Sequence, residues 1–280
     1  MKVVVHISDP HFGEADPVIA EALLDELNAI RPALVAISGD LTQRARRAQF
    51  EAAREWLDRL FVPYLVVPGN HDIPMFDVLR RFGAPRERYM KYISSDLAPV
   101  YVDDELAVVG VDTTKSFTLK SGHYARHAVE KIVALLAPYT HHWRIVVAHH
   151  PFHHASGAFD AQMHFEDAGV DLVLTGHLHK TQFEAPLDGV AHRNERHTML
   201  SVHAGTCMST RLRGEPNGYN QLHLEGERVR IVHRQWQDMR FVDVAEKIYR
   251  RSEREAERMI KEAAIIPPRG WPRPVSATDA

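Results

Sequence analysis

The feature that most constrains this chain is a recurring pair: a short, unbroken apolar run followed at once by a cluster of Gly, Asp, Asn or His. Val3 to Ile7 leads into Ser8-Asp9-Pro10-His11, Leu34 to Ile37 into Ser38-Gly39-Asp40, and Tyr64 to Val67 into Pro68-Gly69-Asn70-His71-Asp72. Runs of this length suit buried strands. Helical spacing intervenes: Asp16-Pro17 caps a helix carrying Ile19, Leu23, Leu27 and Ile30. A longer helix puts Phe50, Ala53, Leu57 and Leu60 on one face, with Arg44, Arg46, Arg47 and Arg54 elsewhere. Each polar cluster therefore falls beyond the C-terminal end of a strand, where the loops of α/β folds assemble sites.

The regularity lapses between about Met75 and Pro99, a charged and aromatic insert containing Arg80, Arg81, Arg86, Arg88 and Tyr89, which is either a helical lid or plain surface. Strands resume at Ala107 to Val111, Ile145 to Ala148 and Leu172 to Leu174, with a helix around Ala125 to Leu136 between the first two. From Thr198 onward the pattern is strand: Met199 to Val202, Tyr219 to Leu224, a Glu225-Gly226-Glu227 turn, then Val229 to His233. Strand–helix units followed by a meander predict an α/β (mixed α+β) fold, a four-layer αββα sandwich of two mixed β-sheets flanked by helices. The expected domain covers residues 1–240, followed by a charged amphipathic helix over 241–264 and a flexible Pro-rich tail over 265–280. That helix carries Val244, Ile248, Met259 and Ile260 beside an Arg/Glu-rich run; its expected use is docking onto the parent domain, with a homodimer contact second.

Composition narrows the function. Thirty-four Lys and Arg against 37 Asp and Glu give a net charge of −3, unlike the basic surface of a dedicated nucleic-acid binder. The single Cys207 permits no internal disulfide, the start carries no signal-peptide pattern, and no stretch approaches the roughly 20 apolar residues of a membrane span. The expectation is a soluble cytoplasmic protein with no membrane partner. The unusual figure is 19 histidines, the commonest metal-ligand residue, so their clustering matters.

Collected in order, the loops read Asp9-x-His11, Gly39-Asp40, Gly69-Asn70-His71-Asp72, His149-His150 and Gly176-His177-Leu178-His179. This series resembles the calcineurin-like metallophosphoesterases from about Val3 through Asn220. The spacing of the first two motifs, the AHHP element and the distal AGT…R segment look most like the bacterial class III cyclic-nucleotide phosphodiesterases. The resemblance implies two divalent transition-metal ions, Mn, Fe or Zn foremost, bridged by Asp40. Asp9, His11 and His179 would complete one site, and Asn70, His149 and His177 the other. Mixed imidazole and oxygen ligands suit such metals rather than Ca or Mg. Two dications against the carboxylates of Asp9 and Asp40 leave a cationic centre that draws in a phosphate, and a water between the ions is activated as nucleophile. By the same resemblance His71 is the histidine that protonates the departing oxygen, with Asp72 suited to orient its imidazole. The implied reaction is hydrolysis of a small phosphoester, with a cyclic nucleotide leading. Phosphomonoesters, nucleotide or lipid pyrophosphates and nucleic-acid ends remain open, and a non-catalytic module is disfavoured by the complete ligand set.

Other candidates stand beside bland readings. His6 reads as an ordinary strand residue. His150 either supports the ligand before it or packs under the turn, although Pro151 fixes the loop and can aim it inward. His153, His154 and His164 either face substrate or lie on polar surface. His203 is a candidate cavity residue, and Arg211 or Arg213 a candidate phosphate contact, against the commoner surface salt bridge. His141 and His142 read as exposed, and Cys207 as a small buried residue.

Overall fold

The computed structural model describes residues 1–184 and 199–251. In chain order the first elements are β1 (Lys2–Ile7), α1 (Pro17–Ile30), β2 (Leu34–Ile37), α2 (Arg47–Leu57), β3 (Tyr64–Val66), α3 (Val78–Gly83), α4 (Glu87–Tyr92), β4 (Val100–Val102) and β5 (Leu106–Val111). After them come β6 (Gly122–His123), α5 (Arg126–Leu136), β7 (Trp143–Ala148), β8 (Ala155–Ser156), α6 (Ala158–Asp167), β9 (Leu172–Thr175), β10 (Gln182–Glu184) and β11 (Leu200–His203). The last are β12 (Gly218–Glu225), β13 (Arg228–Gln237) and β14 (Arg240–Arg250).

Twelve of the strands form two mixed sheets, ordered β14-β13-β12-β1-β2-β3 and β10-β11-β9-β7-β5-β4, while β6 and β8 pair with each other alone. Within the first, β1, β2 and β3 run parallel, while β12 returns antiparallel with His6 opposite Asn220. Alternation of side chains along each strand separates the faces. Val4, Ala36, Leu65, Leu222 and Ile231 turn inward onto Val108, Ile145, Leu174 and Val202 of the second sheet. Val5, Ile7, Val35 and Ile37 turn outward onto Leu23 and Leu27 of α1 and Phe50 of α2. On the opposite side Val109, Val146 and Val173 cover Val129 and Ile132 of α5 and Phe165 of α6. The result is the four-layer sandwich expected from the sequence.

Local chemistry sets the element ends. Asp16 accepts from the amides of Val18 and Ile19 at 2.8 and 3.2 Å ahead of Pro17, and Arg31 closes α1 in the left-handed region with φ 50°. Burial of Leu23, which has no exposed area, is worth roughly 1.5–3 kcal/mol. The 75–99 insert is partly helical and anchored: Tyr89 Oη donates to Val66 O at 3.0 Å, and Tyr92 stacks on Phe50 of α2.

The expected helix from Phe241 is corrected. Residues 240–250 form β14, the partner of β13 across a turn in which Asp238 and Met239 both have positive φ, 48° and 63°, as a two-residue hairpin requires. Val244 and Ile248 are four apart, an even spacing that satisfies a strand as well as a helix, and Phe241 is buried against Tyr219 and Trp236. The remainder of that helix and the Pro-rich tail lie outside the described residues.

Candidate metal centre

The loops after β1, β2, β3, β7 and β9 converge at one edge of the sandwich. Hydrogen bonds zip them together: Asp9 N donates to Gly39 O (3.1 Å), His11 N to Asp40 O (3.1 Å) and Gly176 N to His149 O (3.0 Å). The backbone there is held in an unfavourable region. Of the nine non-glycine residues with positive φ among those described, five are Asp9 (52°), His11 (49°), Asp40 (53°), His177 (71°) and His179 (57°). Such strain persists where the surroundings over-determine it, and here it aims five polar side chains inward. Two glycines permit the approach: a Cβ on Gly69 would lie 2.1 Å from Asp40 Oδ1, and one on Gly176 would lie 1.7 Å from Ser8 Oγ and 2.5 Å from Asp9 Oδ2.

The side chains gather into two groups. In the first, His179 Nε2 is 3.0 Å from His11 Nε2 and 3.2 Å from Asp9 Oδ1, while His11 Nε2 is 3.6 Å from Asp9 Oδ1 and 3.8 Å from Asp40 Oδ2. In the second, Asn70 Oδ1 is 3.1 Å from His149 Nε2 and 3.0 Å from His177 Nδ1, and His149 Nε2 is 3.4 Å from Asp40 Oδ1. Ligand bonds of about 2.0–2.1 Å set the donors of one tetrahedral ion roughly 3.3 Å apart, so both groups have the spacing of a cation's ligand shell. Asp9 Oδ1 is buried without a hydrogen-bond donor, as a carboxylate oxygen kept for a metal would be. The residues fit a metal.

The far sides of the ligands are fixed. His149 Nδ1 donates to Ser38 O at 2.7 Å and His179 Nδ1 to Arg211 O at 3.0 Å, which turns Nε2 of each ring into the cluster. Asp9 Oδ2 accepts from Ser8 Oγ (2.6 Å) and His177 N (2.9 Å). Burial drives the pKa of His11 down to about 4 and that of His177 down to about 3, so both are neutral donors. In His149 burial acts the same way but is outweighed by Asp40, whose charge and hydrogen bond lift it to about 9. Asp40 is in turn held well below the usual carboxylate range: burial opposes this, and the charges of His149 and His71 prevail.

His71 adjoins both groups without joining either. Its amide donates to Asp40 Oδ1 (2.8 Å), and its ring Nδ1 lies 2.8 Å from Gln43 O. A carbonyl only accepts, so Nδ1 carries the proton. Arg211 Nη1, which only donates, lies 3.1 Å from Nε2. The expected orientation by Asp72 is corrected. The Asp72 carboxylate accepts from Leu41 N (3.1 Å), Thr42 N (2.7 Å), Thr42 Oγ1 (2.9 Å) and Gly69 N (2.9 Å), clasping the loops after β2 and β3 instead of the imidazole.

Of the remaining candidates, the structure brings His150 in and leaves others at the margin. His150 is buried, its Nδ1 2.8 Å from Thr113 Oγ1 and its ring 4.7 and 4.8 Å from those of His149 and His177. With those two it forms a third potential ligand set, and its buried Nε2 lacks a hydrogen-bond partner. His154 lies beside His177 (ring centroids 5.4 Å apart) and His153 beside His203 (6.1 Å), whose Nδ1 bonds to Thr175 Oγ1. His164 turns to its own helix, bonding Asp160 O, and Arg213 is exposed. His6 bonds Ser38 Oγ at 2.9 Å, behind the ligand loop. Arg44 and Gln43 were not singled out by the sequence; their nearness to Asp40 along the chain was the available signal.

Comparison with known proteins places the chain in a family. The calcineurin-like phosphoesterase family profile matches residues 2–181. A glycerophosphodiester phosphodiesterase, GpdQ, of Enterobacter lignolyticus is 32% identical over 124 residues, 38% of this chain and 44% of that protein. A probable cyclic nucleotide phosphodiesterase of Vesicomyosocius okutanii is 21% identical over 236 residues, 82% of this chain and 95% of that protein. The purple acid phosphatase PPD1 of yellow lupin (Lupinus luteus) shares the fold at 14% identity, with a TM-score of 0.63 over 88% of this chain and 53% of that one. The chain thus spans about half the length or less of two of these three proteins. No helix among the described residues is long and apolar enough to cross a membrane. Matched over more than half its length and bearing buried His/Asp clusters that could hold a metal ion, the chain belongs to the calcineurin-like phosphoesterase family.

Proposed function

We propose that this protein is a binuclear metal-dependent phosphodiesterase acting on a small phosphodiester, with a 3′,5′-cyclic nucleotide as the first substrate to test. The observation that carries the reading is the orientation of Asp40, whose Oδ1 lies 3.4 Å from His149 Nε2 and whose Oδ2 lies 3.8 Å from His11 Nε2. One carboxylate thereby serves both ligand groups. The cofactors proposed are two divalent ions, Mn, Fe or Zn, held by Asp9, His11, Asp40 and His179 and by Asp40, Asn70, His149 and His177. When bound, such a pair polarises phosphoryl oxygens and lowers the pKa of an adjacent water.

The chain's own residues set the rest. Asp9 and Asp40 contribute two negative charges, while Asn70 offers an uncharged oxygen, so the loaded centre stays cationic and attracts a phosphate. His71, its Nδ1 donating to Gln43 O, holds the Arg211 guanidinium through Nε2, and that guanidinium supplies positive charge to the departing oxygen. The names of two relatives, one a glycerophosphodiester phosphodiesterase and the other a probable cyclic nucleotide phosphodiesterase, share diester chemistry and favour a diester over a monoester. The test is hydrolysis by protein loaded in turn with Mn, Fe and Zn, across cyclic nucleotides, aryl mono- and diesters, dinucleoside pyrophosphates and single-stranded DNA. Turnover of diesters above monoesters is expected; turnover of monoesters alone contradicts the reading.

A further inference from the structure

We infer that the rim around His71 is a subsite for a second phosphate, borne on the leaving half of the substrate, and that Arg44 and Arg211 are its ligands. The inference rests on the phosphodiesterase reading and adds to it the chemistry of the leaving group: a phosphoanhydride, as in a dinucleoside pyrophosphate.

Two guanidinium groups bracket one imidazole. Arg211 Nη1 is 3.1 Å from His71 Nε2 and 3.3 Å from Gln43 Oε1; Arg44 Nη1 is 3.3 Å from His71 Nδ1 and donates to Gln43 O at 3.3 Å. Each uses only one of its nitrogens in these contacts, so most of five N–H donors remain. Neither arginine pairs with a carboxylate among the described residues, whereas the likewise part-buried Arg86 and Arg234 pair with Asp112 and Glu26, and the buried Arg251 with Asp171. Glu215, the acid closest in sequence to Arg211, is engaged by Thr181 N at 2.8 Å. Exposed Arg213 adds a third positive charge. Burial, then the charges of Arg213 and Arg44, lower the pKa of Arg211, and the more distant charges of Asp40 and Asp9 oppose this without prevailing.

A phosphate suits this place better than a carboxylate or an alcohol. Guanidinium forks match the spacing of phosphate oxygens, and two forks on one rim can share a group with three. Next to the ligand groups that would receive the scissile phosphorus, the second phosphoryl lies one bridging oxygen away. Hydrolysis forms an O–P bond from water and breaks the bridging P–O bond. The electron pair leaves on the second phosphate, and the water's protons pass to product oxygens and solvent. A departing phosphate needs positive charge more than a proton, and the arginines provide it.

The test is calorimetric titration of metal-loaded protein with methylenediphosphonate, which is not hydrolysed, and with inorganic phosphate. Wild type is compared with Arg44→Gln, Arg211→Gln and the double variant, each checked for metal content and melting temperature. Metal ions favour the diphosphonate in every variant, so the readout is the ratio of the two affinities. It is expected to fall about tenfold or more in each single variant, the scale of a lost charge-assisted hydrogen bond, and further in the double. A ratio unaltered in the double variant overturns the subsite. Should Arg211→Gln fail to fold or load, Arg44→Gln, whose side chain donates to Gln43 O and otherwise only lies beside the His71 ring, decides alone by the same criterion. Turnover separates this inference from the underlying reading. Arginine-dependent diphosphonate binding by a protein that hydrolyses no ester keeps the subsite and refutes the phosphodiesterase. Equal losses on bis(4-nitrophenyl) phosphate and a dinucleoside pyrophosphate refute the subsite and keep the phosphodiesterase.

Discussion

Arg211 donates from Nη1 to Nε2 of His71 at 3.1 Å, while Nδ1 of the same ring is held by Gln43 O at 2.8 Å. The pair therefore acts as one unit, with the imidazole fixing the guanidinium. His71→Ala and Arg211→Ala should each keep the metals and lose turnover by about 10²–10³-fold, the cost of removing one donor from developing charge. Because the second change removes a group the first has already disordered, the double variant should lose little more than either single one. Steady-state kinetics of the four proteins measure this, and defects that multiply independently argue against the unit. A His71→Ala defect much larger on alkyl than on nitrophenyl esters would instead restore the ring as proton donor.

Asp72 has a different task. Its carboxylate gathers three amides and the Thr42 hydroxyl, so Asp72→Asn turns one acceptor oxygen into a donor facing donors. The expected cost is about 1–3 kcal/mol for each amide left unsatisfied, read as a lower melting temperature. The activity lost should be the same fraction on good and poor leaving groups. A selective loss on poor leaving groups with unchanged stability argues for a direct role beside His71.

Proton linkage follows from His149. Asp40 lifts its pKa from 6.5 to about 9 in the metal-free protein, against the pull of burial, so at neutral pH the ring is protonated and a metal must displace that proton. Metal affinity of the site that contains His149 should rise with pH up to about 9, with close to one proton released as that site loads, measured by calorimetry in buffers of different ionisation enthalpy. The sign for the metal-free fold is opposite. A raised folded-state pKa stabilises fully below 6.5, and that contribution is lost as pH climbs through 9. Metal binding without proton release below pH 8 contradicts the His149–Asp40 assignment.

The side chains that converge were legible in the sequence and the hydrogen bonding around them was not, for a physical reason. Ligation demands particular side chains at strand ends, so Asp9, His11, Asp40, Asn70, His149, His177 and His179 stand out against apolar runs, and the fold brings all of them together. What Asp72 bonds depends on where the amides of Leu41, Thr42 and Gly69 point, and no residue type reveals that. Arg44 reads as one more charge near a helix until the loop folds it over His71. The strand β14 was hidden because Val244 and Ile248 fit both periods, and the hairpin turn at Asp238 and Met239 lacks the glycine that usually marks one.

On the proposed function, Asp40 joins two cations. Elemental analysis and electron paramagnetic resonance of Mn-loaded protein test it most directly. Two ions per wild-type chain with an exchange-coupled signal are expected, and at most one weakly held ion with no coupling in Asp40→Ala. One ion per wild-type chain, or two retained without Asp40, would contradict it.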